Sequence, residues 1–464
     1  MSDSQQQAAD DRDELEGLIG TTDEVVRSIK KAIAENRPEA AAELVKPLHA
    51  ADVADLFEQL SPDERVALVN ILGTDIDPEF FSYLDESVRE DVIEEFDTKQ
   101  LATVVNELDS DDAVDLIEDL DAKEQAELLQ AVPPEDRALY EDALRYPEES
   151  AGRLMSREVA TVPSYWSVGE TIDYMRSDAD LPSTFYDIYV IGPSYRPIGA
   201  LPVSRLLRTD RPVAVSEIMN TDLKLIPAVM DQENVAFLFR QYGMVSAPVV
   251  DDTGRLLGAI TVDDVVHVID EEAEEDLLAL GGVGETDFHA SITDTALRRV
   301  RWLIVTLINT LIASSVISRF DATIEQIVAL AILMPIVAAM GGNAGMQVVT
   351  VTVRALAMRD LTAGSNVWRV ITKELAVAAL NSIVFALIMG TVAAVWFSNV
   401  PLGLVLGAAM IFNMMWAGLA GTVIPLTLSR LGMDPAISAG PFLTTTTDVL
   451  GFFSFLGLAT LVLL

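Results

Sequence analysis

The chain has no cysteine and only three histidines, His49, His267 and His289, among its 464 residues. Disulfides, thiolate nucleophiles and thiolate metal sites are therefore excluded, and the imidazoles are too few and scattered for a zinc enzyme. Positive charge is also scarce: 31 Lys and Arg stand against 72 Asp and Glu, a net charge of −41. A surface of that sign repels phosphate backbones, which argues against a nucleic-acid partner. Residues 1–16 are polar and acidic with no apolar core, so no signal peptide is expected and the chain is expected to begin in the cytosol.

What is present is unevenly divided. Half of the residues are hydrophobic, which sits badly with so high a charge in one globule. From Arg301 onward there are 7 basic and 6 acidic residues, and before it 24 basic and 66 acidic. A very acidic soluble half precedes a nearly uncharged apolar half. The apolar half holds five stretches long enough to cross a bilayer as helices, at about Val300–Ile317, Ile327–Val351, Ala376–Phe397, Leu402–Leu426 and Ala439–Leu464. Four crossings with a re-entrant segment is the rival count. Basic residues cluster before the first stretch (Arg298, Arg299, Arg301), between the second and third (Arg354, Arg359, Arg369, Lys373) and between the fourth and fifth (Arg430). With five crossings all of these fall on one side. That predicts a multi-pass protein of the cytoplasmic membrane with the acidic half inside and the C-terminus outside.

Within the last stretch Asp448 is the single ionisable residue. A carboxylate at membrane depth is costly, so it is read first as a functional group, here on a hydrated cation path. It follows Thr444-Thr445-Thr446-Thr447 and Gly440-Pro441, which predict an interrupted helix rich in hydroxyls. The second stretch contains Pro335 and then Gly341-Gly342-Asn343-Ala344-Gly345-Met346-Gln347. Helix packing accounts for the glycines as well as a pore does, but less well for Asn343 and Gln347. Asn413, in the fourth stretch, fits packing and pore lining equally.

The soluble half contains two internal repeats. Residues 50–72 align with residues 110–132 at an offset of 60, matching Asp52 with Asp112, Asp55 with Asp115, Leu56 with Leu116 and Leu68 with Leu128. Apolar residues recur at helical spacing, and Ser61-Pro62-Asp63-Glu64 reads as a cap, a first-turn proline and a capping Glu. A small superhelix of stacked helical hairpins is predicted, its polar faces loaded with Asp109, Asp111, Asp112, Asp115, Glu118 and Asp119. A second repeat sets Val162-Pro163 against Ile226-Pro227, Tyr189-Val190-Ile191 against Pro248-Val249-Val250, and Ile198-Gly199-Ala200-Leu201 against Leu257-Gly258-Ala259-Ile260. Each copy predicts a strand, a helix, two strands around a turn and a closing helix.

These copies resemble a tandem pair of CBS modules, sensor domains that often bind adenine nucleotides. That resemblance implies that Thr261 and Asp264 would approach a nucleotide ribose. The first copy keeps Ser204 but lacks the acid, so one nucleotide per pair is the most it implies, and a purely structural pair is the alternative. After the second copy, residues 270–276 read Asp-Glu-Glu-Ala-Glu-Glu-Asp. As a helix this stacks Glu271 on Glu275 and Glu272 on Asp276, like charges that repel unless cations neutralise them.

The whole pattern resembles the MgtE family of magnesium channels, over residues 23–464. The specific pieces are Pro335 with residues 341–347, Ser438-Ala439-Gly440-Pro441 with Thr447-Asp448-Val449, and Tyr146-Pro147 with residues 151–155. The implied organisation is a disordered acidic tail (1–22), a helical N-domain (23–150), two CBS modules (151–213 and 214–264), an acidic connecting helix (265–295) and a five-helix membrane domain (296–464). The resemblance implies no catalysis. It implies a homodimeric channel in the lipid bilayer that imports Mg²⁺, with Asp448, Asn343, Asn413 and Thr447 along the pore. Cytosolic Mg²⁺ would close it by bridging Asp112, Asp115, Glu233, Asp264, Glu272, Glu275 and Asp276. Gly243 and His267 stand where acids are expected. The alternative is a broader carrier or exporter of Mn²⁺, Co²⁺ or Zn²⁺, regulated by nucleotide such as ATP at the CBS pair.

Overall fold

Helix starts in the acidic half are set by side-chain caps. The backbone N–H of Ser61 donates to the Glu64 carboxylate at 2.9 Å, closing a capping box behind Pro62. Sixty residues later Asp121 accepts from the N–H groups of Lys123 and Glu124 at 2.9 and 2.8 Å. The computed structural model describes residues 21–177, 181–182, 184–281, 283, 292–357 and 364–464. The expected acidic tail up to residue 20, Arg359 and most of the segment after the connecting helix lie outside these. The chain forms two units, residues 1–271 and 272–464.

The first unit opens with α1 (Asp23–Ala34), α2 (Pro38–Val45), α3 (Ala50–Glu58), α4 (Pro62–Leu72), α5 (Glu86–Ile93), α6 (Thr98–Glu107), α7 (Ser110–Glu118), α8 (Ala122–Ala131) and α9 (Pro134–Ala143). The repeat maps α3 and α4 onto α7 and α8. Its matched leucines, Leu56 with Leu116 and Leu68 with Leu128, are all at most 1% exposed. They share a core with Phe57, Phe80 and Phe81. Truncating one such leucine to alanine costs about 2–5 kcal/mol.

A short α10 (Ala151–Leu154) leads into two copies of one α/β unit. The first comprises β1 (Thr161–Pro163), α11 (Val168–Met175), β2 (Asp187–Ile191), β3 (Pro197–Pro202) and α12 (Val203–Leu207). After α13 (Val215–Ile218) the second follows with β4 (Ile226–Pro227), α14 (Gln232–Tyr242), β5 (Ser246–Val250), β6 (Leu256–Thr261) and α15 (Val262–Gly281). In each sheet the first strand pairs parallel to the second and the second antiparallel to the third. The register slips at the same place in both, Val190/Ile191 and Val249/Val250. These are the tandem CBS modules. Gly199 and Gly258 occupy equivalent places: a Cβ at Gly258 would collide with the Ser156 backbone carbonyl, so glycine is needed there, whereas one at Gly199 would press on the flexible Met219 side chain. The acidic helix begins at Val262, directly from β6, and not after a separate closing helix.

The second unit contains α16 (Ile292–Ile317), α17 (Asp321–Gln326), α18 (Ala329–Ala357), α19 (Gly364–Trp396), α20 (Val400–Arg430) and α21 (Pro435–Leu463). Among the described residues five segments are long and apolar enough to cross a membrane: Thr295–Gln326, Ala329–Ala357, Val367–Trp396, Val400–Arg430 and Pro435–Leu463. The most enclosed is α20, which packs against α18, α19 and α21. The expected interruption at Gly440-Pro441 does not occur, because α21 runs through Pro441 without a break. The Pro441 carbonyl is instead heavily used, accepting from Asn309 Nδ2 of α16 at 3.2 Å and from Thr445 Oγ1 at 2.7 Å. The Asn309 bond ties α16 to α21 at this point, while the carbonyl left without its usual i+4 donor is that of Ile437.

Candidate functional site

Asp448 lies in the middle of α21, partly exposed, with Thr444 and Thr445 one turn before it on the same face. Each hydroxyl in the row donates to a carbonyl of its own helix. Thr444 Oγ1 bonds to Gly440 O at 3.1 Å, Thr445 Oγ1 to Pro441 O at 2.7 Å and Thr446 Oγ1 to Leu443 O at 3.0 Å. Asn343 and Gln347, one turn apart, are exposed along α18.

The other two expected pore groups are not on an exposed face. Thr447 is 0% exposed and its hydroxyl is satisfied by Leu443 O at 3.0 Å and Thr444 O at 3.1 Å. Asn413 is also 0% exposed, and its Nδ2 donates to Val337 O of α18 at 2.9 Å. Both face the seams between helices, so neither lines a path beside Asp448 in this conformation.

In the first unit the start of α7 meets the start of α15. Burial, followed by the neighbouring charges of Asp264, Asp115 and Asp109, pushes the Asp112 carboxyl up to about 7. Asp111 is driven well above the carboxylate range by burial, then by Asp264 and Asp112, and its Oδ1 has no hydrogen-bond partner. Asp264 is raised by burial and by Asp263, opposed by hydrogen bonds from Thr261. Those bonds make Thr261 and Asp264 the cap of α15: Thr261 Oγ1 donates to Asp264 Oδ2 at 2.8 Å. The pair expected near a ribose is thus engaged with itself, and Asp264 faces the acids of the N-domain.

One expectation here needs correction: Asp115, read as a regulatory metal ligand, meets an arginine, as do Glu118 and Asp119 at the end of α7. Arg89 grips both Asp115 and Asp119, and Arg153 Nη1 donates to Glu118 Oε2 at 2.6 Å. Asp115 is therefore an ion-paired carboxylate rather than a free ligand, although Glu271 lies within its electrostatic reach. His267, where an acid was expected, packs its ring edge-on against Tyr83 at 6.0 Å, and Tyr83 meets His49 at 6.2 Å. An aromatic contact occupies the place of a charge. Gly243 closes α14 in the left-handed region at φ 59°, a geometry that favours glycine over an acid. Glu233 is exposed in the first turn of α14, behind the Asp231 cap.

In the second unit the end of α15 packs on the ends of the spans. Ala279 is buried in a cluster with Val349, Val353, Leu428, Ala439 and Leu443. Glu272 and Asp276 are partly exposed on this helix and Glu275 is exposed. The Asp276 carboxyl is raised by burial and then by Asp434. Asp434 caps α21, accepting from Ala436 N at 2.7 Å. Among the described residues no three His, Asp or Glu converge tightly enough to hold a bare metal ion. The acids meet as small groups, Asp111–Asp112–Asp264 and Asp276–Asp434. Such sparse carboxylate sets suit Mg²⁺, which keeps most of its water and takes one or two protein carboxylates.

Sequence reasoning missed the ligating potential of Asp434 and the burial of Asp111. A fixed acid just before a helix start signals the first, but nothing in an amphipathic pattern signals the second. It also passed over Glu374, only 8% exposed within α19, because that residue precedes the apolar run.

Comparison with known proteins agrees with this architecture. A family model described as a divalent cation transporter matches residues 334–458, an MgtE intracellular N domain matches residues 48–149 and a CBS domain matches residues 215–271. The fold and site thus define a membrane transporter for divalent cations. The magnesium transporter MgtE of Thermus thermophilus is 37% identical over 335 residues, 71% of this chain and 74% of that protein. The magnesium transporter MgtE of Bacillus subtilis (strain 168) is 33% identical over 318 residues, 68% of this chain and 70% of that protein. A crystal structure of the cytosolic domain of the Mg²⁺ channel MgtE in complex with ATP is 30% identical, covering 52% of this chain and 99% of that one, with a TM-score of 0.49. The chain belongs to the MgtE family of magnesium transporters.

Proposed function

We propose that this protein is a Mg²⁺-selective channel that admits Mg²⁺ to the cytosol and closes when cytosolic Mg²⁺ is abundant. The observation that carries the reading is Asp448, an acid deep in an apolar helix beside threonines whose hydroxyl hydrogens are already engaged. A hydrated ion passing this face would meet acceptors for its outer water hydrogens. The protein works as a homodimer with the N-terminal half in the cytoplasm and the C-terminus outside, an orientation supported by the basic clusters between spans. Asn343 supplies a further amide to the path.

Closure follows from charge. Asp111, Asp112 and Asp264 repel one another where the N-domain meets the second CBS module, and Asp276 repels Asp434 beside the pore helices. Mg²⁺ stabilises the packed arrangement by binding it more tightly than the separated one. Glu272 and Glu275 add to the attraction along α15, and Asp115 and Glu233 have peripheral roles. The CBS pair adjusts this balance through ATP, with Thr261 at the site.

The test is Mg²⁺ uptake into liposomes containing the full chain, at low and high Mg²⁺ on the cytosolic face. Flux should be high in the first case and low in the second, and lost in Asp448→Ala. Flux indifferent to cytosolic Mg²⁺ would reject the gate. Flux that requires a proton or sodium gradient, or that prefers Mn²⁺, Co²⁺ or Zn²⁺, would favour a broader carrier.

A further inference from the structure

One polar side chain of the membrane unit is fully enclosed and still incompletely satisfied. Asn413, in α20, is 0% exposed; its Nδ2 donates to Val337 O of α18, and its Oδ1 has no hydrogen-bond partner. Buried amides are nearly always satisfied at both ends, so a bare oxygen here is a cost that simple helix packing does not explain.

The surroundings indicate what the side chain does. A Cβ added at Gly341 of α18 would collide with Asn413, and one added at Gly451 of α21 would lie 2.7 Å from its Nδ2. The amide therefore fits between two glycines on two different helices. Gly451 is three residues, close to one turn, beyond Asp448, and Gly341 is two residues before Asn343. This one side chain thus lies between the helix that carries Asn343 and the helix that carries Asp448.

We propose that Asn413 is a positioning residue for ion selection. It holds α18 and α21 apart at Gly341 and Gly451 and fixes the direction in which Asp448 faces, without itself touching the ion. This rests on the reading that Asp448 meets the transported ion. A hydrated Mg²⁺ is recognised by the separation of outer groups, so a small rotation of α21 changes discrimination before it changes folding.

The experiment uses the full chain in liposomes and measures Mg²⁺ and Ca²⁺ influx together. Asn413→Ala should lower the Mg²⁺ to Ca²⁺ ratio by about tenfold or more, as misplacement of a working group does. Gly451→Ala should do the same, and Gly451→Ala with Asn413→Ala should recover most of the ratio, because removing the amide makes room for the new methyl. If Gly451→Ala does not fold, Gly341→Ala with the same compensating change replaces it. If neither single variant folds, recovery of folded, selective protein in the doubles supports the proposal and its absence overturns it. Asn413→Ala that lowers protein yield but leaves the ratio unchanged also overturns it, as does failure of the swaps while Asp448→Asn abolishes Mg²⁺ flux. Asp448→Asn with ordinary Mg²⁺ flux removes instead the reading beneath it.

Discussion

Arg153, in α10 at the head of the first CBS module, donates Nη1 to Glu118 Oε2 of the N-domain at 2.6 Å. The same guanidinium donates to the Tyr146 and Leu144 carbonyls at 3.0 and 3.1 Å. Together with the Arg157–Asp142 pair at 3.2 Å, it makes a tie that needs no metal. The acids at the start of α7 lie two turns away along the same helix and behave oppositely. One end of α7 is held by an arginine, and at the other Asp111 and Asp112 face Asp264 with their carboxyls raised by burial and mutual charge.

Removing the tie should loosen the N-domain under all conditions. Arg153→Ala is expected to destabilise the soluble half by roughly 1–3 kcal/mol, the usual range for losing a charged hydrogen bond and leaving its partner unmatched. Protease resistance of residues 23–150 at saturating Mg²⁺ is the measurement. Resistance equal to that of the native chain would mean that Arg153 holds nothing.

Neutralising the repelling acids should have the reverse effect. Asp112→Asn and Asp264→Asn are expected to leave the N-domain packed on the second CBS module in chelator, where the native chain opens. Small-angle scattering with and without Mg²⁺ reads this directly. A native soluble half equally compact after chelation would remove the basis of the gate.

Protons should imitate part of the metal effect. The packed-state carboxyl of Asp112 is raised to about 7 from an ordinary value of 3.8, so the packed form binds the extra proton. Its packing is unpenalised below the ordinary value, weakens as pH rises between the two, and bears the full repulsion above about 7. In chelator, compaction is therefore expected near pH 5 and expansion near pH 8. Asp112→Asn should flatten this dependence, and an unchanged profile in that variant would assign it to other groups.

Charges beside the pore helices should set the cytosolic Mg²⁺ needed for closure. Neutralising Glu272, Glu275 and Asp276 together is expected to leave the channel open at high Mg²⁺. Asp434→Asn alone should shift the closing concentration upward, since Asp276 then loses its facing acid. Concentration-response curves for uptake decide both, and normal closure in the triple variant would move the sensor elsewhere.

Much of this architecture is legible in the sequence. The 60-residue repeat, the capping box at Ser61 and Glu64, and the doubled CBS unit each left local, periodic marks that survive as α3/α4 against α7/α8 and as two matching sheets. Five membrane-length helices were legible from apolar length alone. Facing was not. A helix that is apolar all round, such as α20 or α21, carries no stripe to say which side meets a neighbour, so nothing in the sequence says that Asn413 and Thr447 are buried against other helices. Long-range pairing was equally hidden: Arg89 and Asp115 are 26 residues apart, and only the folded hairpins join them. Pro441 is a poor guide because a proline inside an apolar helix removes one hydrogen bond without always ending the helix, and α21 runs through it.

The threonine row of α21 has one more consequence. With their hydrogens turned back onto Gly440, Pro441 and Leu443, these side chains offer only lone pairs outward. The water coat of a cation points hydrogens away from the ion, whereas the coat of an anion points oxygens. Chloride would find no donor along this face. On the proposed path, the hydroxyl geometry of this one helix would favour cations over anions alongside the Asp448 carboxylate.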